Sequence, residues 1–125
     1  MSGSLTSLVV DDSSVARRFA RGILEELHFD VREAEDGSVA LARCQESLPD
    51  LILLDWNMPV MNGMEFMQAV RRLPGADQVR IVFCTTRTEL PSVAQALAGG
   101  ADEYLMKPYD REALESKLVQ IGLLP

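Results

Sequence analysis

Short apolar runs alternate with amphipathic stretches from one end of the chain to the other. Leu5 to Val10 reads as a strand, and Val15, Phe19, Ile23 and Leu27 then recur every four residues, which predicts a helix with that stripe turned inward. Val31 to Glu35 predicts a weaker second strand, Asp36-Gly37 a turn, and Val39 to Cys44 the start of a second helix, with Pro49 beyond it. Leu51 to Leu54 is an unbroken apolar run between Pro49 and Pro59, the pattern of a strand covered on both faces.

The second half repeats the scheme. Met64 to Leu73 is helical in pattern and stops before Pro74-Gly75; Val79 to Cys84 is another apolar strand, interrupted only by Arg80. Thr88 is a candidate N-cap and Pro91 a first-turn residue of a helix that ends at Gly99-Gly100. Glu103 to Met106 is a short strand, and Asp110 caps a last helix whose stripe is Leu114, Leu118 and Ile121. No linker, repeat or low-complexity segment interrupts the five strand–helix units. This alternation predicts an α/β fold, a (βα)5 doubly wound parallel sheet with helices on both faces.

Composition narrows the function classes. The 125 residues, 47% hydrophobic and 25% charged, suit one globular domain over 1–125. The net charge is −7 and no run of Lys or Arg forms a basic patch, so direct DNA binding is not expected. Arg71-Arg72 comes nearest, and reads as two solvated charges near a helix C-terminus. Cys44 and Cys84 have neither a disulfide framework nor metal-site spacing; Cys84 reads as a small buried hydrophobe, and Cys44 suits either burial or exposure. Residues 1–7 lack the features of a signal peptide, and no window approaches the roughly 20 apolar residues of a membrane span. A cytoplasmic setting with no membrane contact is expected.

The chemistry-bearing residues stand just past the apolar runs. Asp11-Asp12 come after the first, Asp55 after the third, Thr85-Thr86 after the fourth and Lys107-Pro108 after the fifth. In open α/β sheets the carboxyl ends of the strands form the ligand edge, so these residues meet there. Each has a plainer role when taken alone: a turn aspartate, a strand-end threonine, a surface lysine. Their coincidence after four different strands favours a site. Three neighbouring carboxylates repel one another unless a cation intervenes. Mg²⁺ takes oxygen ligands, commonly one or two carboxylates with waters and a phosphate oxygen. With Lys107 as a point charge and Thr85 as a hydroxyl donor, the set forms a clamp for phosphoryl transfer, and Asp55 is the natural nucleophile.

These residues carry a family resemblance. Val9-Val10-Asp11-Asp12-Ser13, the segment from Asp55-Trp56-Asn57-Met58-Pro59 to Gly63-Met64-Glu65, Cys84-Thr85-Thr86 and Gly100 to Pro108 resemble the receiver domain of bacterial response regulators. The likeness covers about residues 5 to 121, and the Asp-Trp-Asn-Met-Pro stretch resembles the CheY-like members. It implies the strand order 2-1-3-4-5. It implies Asp55 as phosphoacceptor for a sensor histidine kinase or phosphotransfer protein. Mg²⁺ would be held by Asp12, Asp55 and the backbone oxygen of Asn57, with Asp11 acting through water. Lys107 would bridge the phosphoryl group, and the Lys107-Pro108 bond would be cis. Thr85 and Tyr104 would move together, switching the surface of the fourth helix, fifth strand and fifth helix towards a target, such as a flagellar motor in a chemotaxis pathway. Tyr104 otherwise reads as a half-buried strand aromatic with a wet hydroxyl.

Two positions depart from the family pattern. Thr86 stands where many members have Ala, which narrows the route of Tyr104. Arg87 stands two residues past Thr85, where a cation is less usual and is expected to slow loss of the phosphoryl group. A receiver module of a longer regulator is an alternative to a stand-alone protein. A phosphohydrolase resembling the haloacid dehalogenases needs an acid where Asn57 stands. A flavodoxin-like nucleotide binder needs a Gly- or Ser-rich first loop where Asp11-Asp12 stand.

Overall fold

The computed structural model describes residues 4–56, 58, 60–86 and 93–125. The strands are β1 (Thr6–Val10), β2 (Asp30–Ala34), β3 (Leu51–Asp55), β4 (Arg80–Thr85) and β5 (Glu103–Met106). The helices are α1 (Ser14–Glu26), α2 (Gly37–Glu46), α3 (Gly63–Arg71), α4 (Val93–Ala98) and α5 (Arg111–Gln120), with a 3-10 turn at Ala76–Gln78. All four strand pairings are parallel and the order is β2-β1-β3-β4-β5, as the resemblance implies.

The period-two alternation of the strands splits the core into two layers. Leu8, Val10, Ile52, Leu54, Ile81 and Phe83 face α2, α3 and α4, where Cys44, Phe66, Met67, Val70 and Ala96 meet them. Val9, Leu51, Leu53, Val82, Cys84 and Leu105 face α1 and α5, where Ala20, Ile23, Leu24, Leu114 and Leu118 close the second layer. The β3 run is buried over its whole length, as its unbroken apolar sequence predicts.

Side-chain caps start α1, α2, α3 and α5. Ser13 accepts from the Ala16 N–H, Asp36 from Val39 and Asp110 from Ala113, while Asn62 and Glu65 form a reciprocal capping box. Asp36-Gly37 is thus the N-cap and first residue of α2, not a free-standing turn. Gly63 is required by close approach: a Cβ there would lie 2.7 Å from the Trp56 ring.

Two further expectations change. The α1 stripe is only half inward: Val15 is 75% and Phe19 50% exposed, while Ala20, Ile23 and Leu24 are buried. A strict four-residue spacing drifts about 40° per step from the 3.6-residue turn, so its first members leave the core face. Arg71 is no solvated charge. It donates to the carbonyls of Ala76, Val79 and Gly100 and pairs with Asp102, tying α3 to the segments before β4 and β5. Cys44 and Cys84 are both buried. Thr88 and Pro91 lie outside the described residues.

Candidate functional site

Sheet register builds the site. Val10 pairs with Leu54, Asp55 with Cys84 and Thr85 with Met106, so four strand ends finish side by side. The loop residues continue this alignment. Asp11 donates its N–H to the Ala34 carbonyl, Trp56 to Cys84 and Lys107 to Thr85. The Lys107-Pro108 bond is cis.

Asp11 is 6% and Asp55 9% exposed, whereas Asp12 is exposed. One oxygen from each of the three carboxylates lies within 4.8 Å of the others. The remaining Asp11 bonds are specific: Oδ1 accepts the Ser13 N–H at 2.9 Å, and the Asp11 carbonyl accepts from the Arg17 guanidinium at 2.7 Å. Lys107 Nζ donates to Asp11 Oδ2 at 2.9 Å and to Asp55 Oδ1 at 3.4 Å. Burial pulls the Lys107 ammonium down, but the Asp11 and Asp55 carboxylates outweigh it and its pKa is raised. Thr85 is fully buried, and its hydroxyl donates to the Thr86 carbonyl at 3.3 Å. Burial pushes the neighbouring Cys84 thiol up to about 12, which leaves it an inert core group.

The donor set suits a hard divalent cation. All three groups are carboxylates whose oxygens converge within 4.8 Å, and Mg²⁺ prefers oxygen ligands, commonly taking one or two carboxylates directly and keeping several waters. Asn57, whose backbone oxygen is the expected further ligand, lies outside the described residues, as does Arg87.

Beyond the acidic cluster, a cleft of about 400 Å³ opens beside Lys107, lined by Ala16, Phe19, Thr86, Pro108 and Tyr109. Tyr104 is half-buried on β5, its ring 6.1 Å from Phe83, which lies 5.1 Å from the Trp56 ring. A row of rings thus leads from the neighbour of Asp55 to the sheet edge. The roles of Arg17 in fixing the Asp11 backbone and of Lys117 over the Tyr104 ring (4.7 Å) carry no sequence signal, because each depends on a contact between separate elements.

Comparison with known proteins agrees with this geometry. The family model described as "Response regulator receiver domain" matches residues 7–119. The chemotaxis protein CheY homolog of Campylobacter jejuni is 40% identical over 117 residues, 91% of this chain and 89% of that protein. The chemotaxis protein CheY of Pseudomonas aeruginosa is 31% identical over 115 residues, 91% of this chain and 93% of that protein. The structure of the chemotaxis response regulator CheY4 of Vibrio cholerae superposes with a TM-score of 0.88 at 36% identity, covering 94% of this chain and 98% of that one.

Proposed function

The chain belongs to the response regulator receiver domain family, a family of signalling proteins rather than classical enzymes, and on that footing we propose that it is a Mg²⁺-dependent switch phosphorylated on Asp55. The observation that carries this reading is the meeting of Asp11, Asp12, Asp55 and Lys107 at one edge of the sheet.

Asp12 and Asp55, with the Asn57 carbonyl, would hold the metal, and Asp11 would act through water. The ion supplies charge neutralisation for an incoming phosphoryl group. Asp55 attacks the phosphorus of a phosphohistidine on a sensor kinase or phosphotransfer protein; the new O–P bond forms as the N–P bond breaks. Lys107, already held between two acids, turns one donor to a phosphoryl oxygen. The apolar cleft beside it, with exposed Val15 and Phe19, offers the donor protein a footing close to Asp55. Thr85 then moves to the phosphoryl group, Tyr104 follows, and the α4–β5–α5 surface changes for its target. Slow hydrolysis of the acyl phosphate resets the switch.

The curated CheY relatives, which the chain spans over about nine-tenths of their length, support a stand-alone chemotaxis regulator, with the flagellar motor among candidate targets. Among the described residues, no helix is long and apolar enough to cross a membrane. The test is labelling with acetyl phosphate. Wild-type protein takes one phosphoryl group with Mg²⁺ and none with EDTA, and Asp55→Asn takes none under either condition. Full labelling of Asp55→Asn would overturn the assignment.

A further inference from the structure

Tyr104 sits on β5, an edge strand, and its ring packs on the sheet face that carries α2, α3 and α4. Lys117 belongs to α5, which packs on the opposite face through Leu114 and Leu118. The Lys117 ammonium nevertheless lies 4.7 Å from the centroid of the Tyr104 ring. Its long side chain therefore reaches around the edge of the sheet. Glu103 holds it there: Glu103 Oε1 lies 3.4 Å from Lys117 Nζ and also accepts the Tyr104 backbone N–H at 3.0 Å. One carboxylate oxygen thus fixes both the strand that bears the ring and the cation above it.

Neither contact is strong alone, since a partly exposed ion pair contributes little. Together they leave the ammonium one position that satisfies both an anion and a π face. Rotating the Tyr104 ring away breaks the cation–π contact while Glu103 keeps Lys117 in place. The pose seen here goes with a Thr85 hydroxyl turned to the Thr86 carbonyl.

We propose that Lys117 is a positioning residue for Tyr104: anchored by Glu103, it clamps the ring in this orientation and opposes its rotation when Asp55 is phosphorylated. This rests on the reading of Tyr104 as the switch residue. Removing the clamp lowers the cost of switching, so any ligand that favours the rotated ring binds more tightly.

The test uses full-length protein labelled with 3-fluorotyrosine, with Tyr109→Phe to assign the Tyr104 fluorine line. Without ligand, Lys117→Met and Glu103→Gln move that line, and Lys117→Arg, which keeps a cation over the ring, restores it. With Mg²⁺ and beryllofluoride, a stable mimic of the acyl phosphate, both clamp-free variants bind about two- to fivefold more tightly than wild type. The two substitutions change net charge in opposite directions, so a shared tightening does not come from long-range electrostatics. An unmoved line in Lys117→Met, or failure of Lys117→Arg to restore it, overturns the clamp. Tightening in Glu103→Gln alone overturns it too, as the pattern of a simple charge effect on an anionic ligand. A wild-type line that ignores beryllofluoride overturns the switch reading instead, and the ligand-free spectra still decide the clamp.

Discussion

Lys107 is held by Asp11: its ammonium lies 2.9 Å from that carboxylate and 3.4 Å from the proposed acceptor, Asp55. The lysine proposed to meet a phosphoryl group is thus held on the neighbouring acid. The same pairing relieves part of the repulsion among three clustered carboxylates without a metal. Lys107→Met leaves two nearly buried carboxylates without this cation and costs about 1–2 kcal/mol at neutral pH, measured by urea unfolding in EDTA. The folded pKa of Lys107 is raised, so its contribution is complete below the unfolded value of about 10.4 and disappears as pH rises through the folded value. The gap between wild type and Lys107→Met therefore stays constant from pH 7 up to nearly the unfolded value of about 10.4 and narrows only above it. A gap that widens with alkali would contradict the pairing.

Mg²⁺ is expected to raise the unfolding midpoint, because the three carboxylates proposed to hold it converge in the folded chain. At a hundredfold excess over Kd the gain is about 2.7 kcal/mol. Asp12→Asn removes most of it, and also relieves repulsion in the metal-free protein, where its effect stays below about 1 kcal/mol because Asp12 is exposed. Trp56, next to Asp55 and packed 5.1 Å from Phe83, reports the same titration by its fluorescence. A midpoint and an emission that both ignore Mg²⁺ would rule out the acidic cluster as a metal site.

Arg71 tests a connection invisible in the sequence. It is 20% exposed and its forked donors meet three carbonyls and Asp102, which in turn accepts the Ile81 N–H. Arg71→Met takes a donor from all three carbonyls, of which Ala76's keeps the Val79 N–H, and costs about 2–3 kcal/mol in denaturant unfolding. Arg71→Lys recovers less than half, because an ammonium cannot reproduce the planar fork. Equal stability of wild type and Arg71→Lys would show that charge alone matters there.

The contrast between Arg71 and Asp55 shows what was legible. Asp55 follows Leu51 to Leu54, and an apolar run of strand length announces both the strand and the residue at its end. Asp11, Thr85 and Lys107 are marked in the same way, so the site edge follows from local pattern plus parallel topology. Arg71 bonds residues 5 to 31 positions away, and Lys117 reaches Glu103 and Tyr104 from another element. Such roles depend on how helices and loops dock, which no periodicity encodes. Val15 and Phe19 mislead for a related reason: apolar residues at helical spacing look like core, yet both are exposed and Phe19 lines the cleft beside Lys107.

Val60 is a residue in the wrong conformation for its type. Its φ is 70°, in the left-handed region, and its side chain is 82% exposed in the segment between β3 and α3. A β-branched L-residue there is strained by about 1–2 kcal/mol, because Cβ crowds the following carbonyl. Little packing opposes that strain in a side chain so exposed. Glycine removes the clash but adds about 0.5–1 kcal/mol of unfolded-state entropy. Asparagine tolerates the left-handed region without that entropy. Val60→Asn is therefore expected to stabilise the protein by about 1 kcal/mol, a rise of roughly 2–5 °C in Tm, and Val60→Gly by less. The order of the two variants is the sensitive part of the test. If Val60→Gly exceeds Val60→Asn, relief of strain outweighs the added chain entropy. If both lower Tm, the valine side chain makes contacts worth more than the strain, and its exposed position is held by packing, not tolerated.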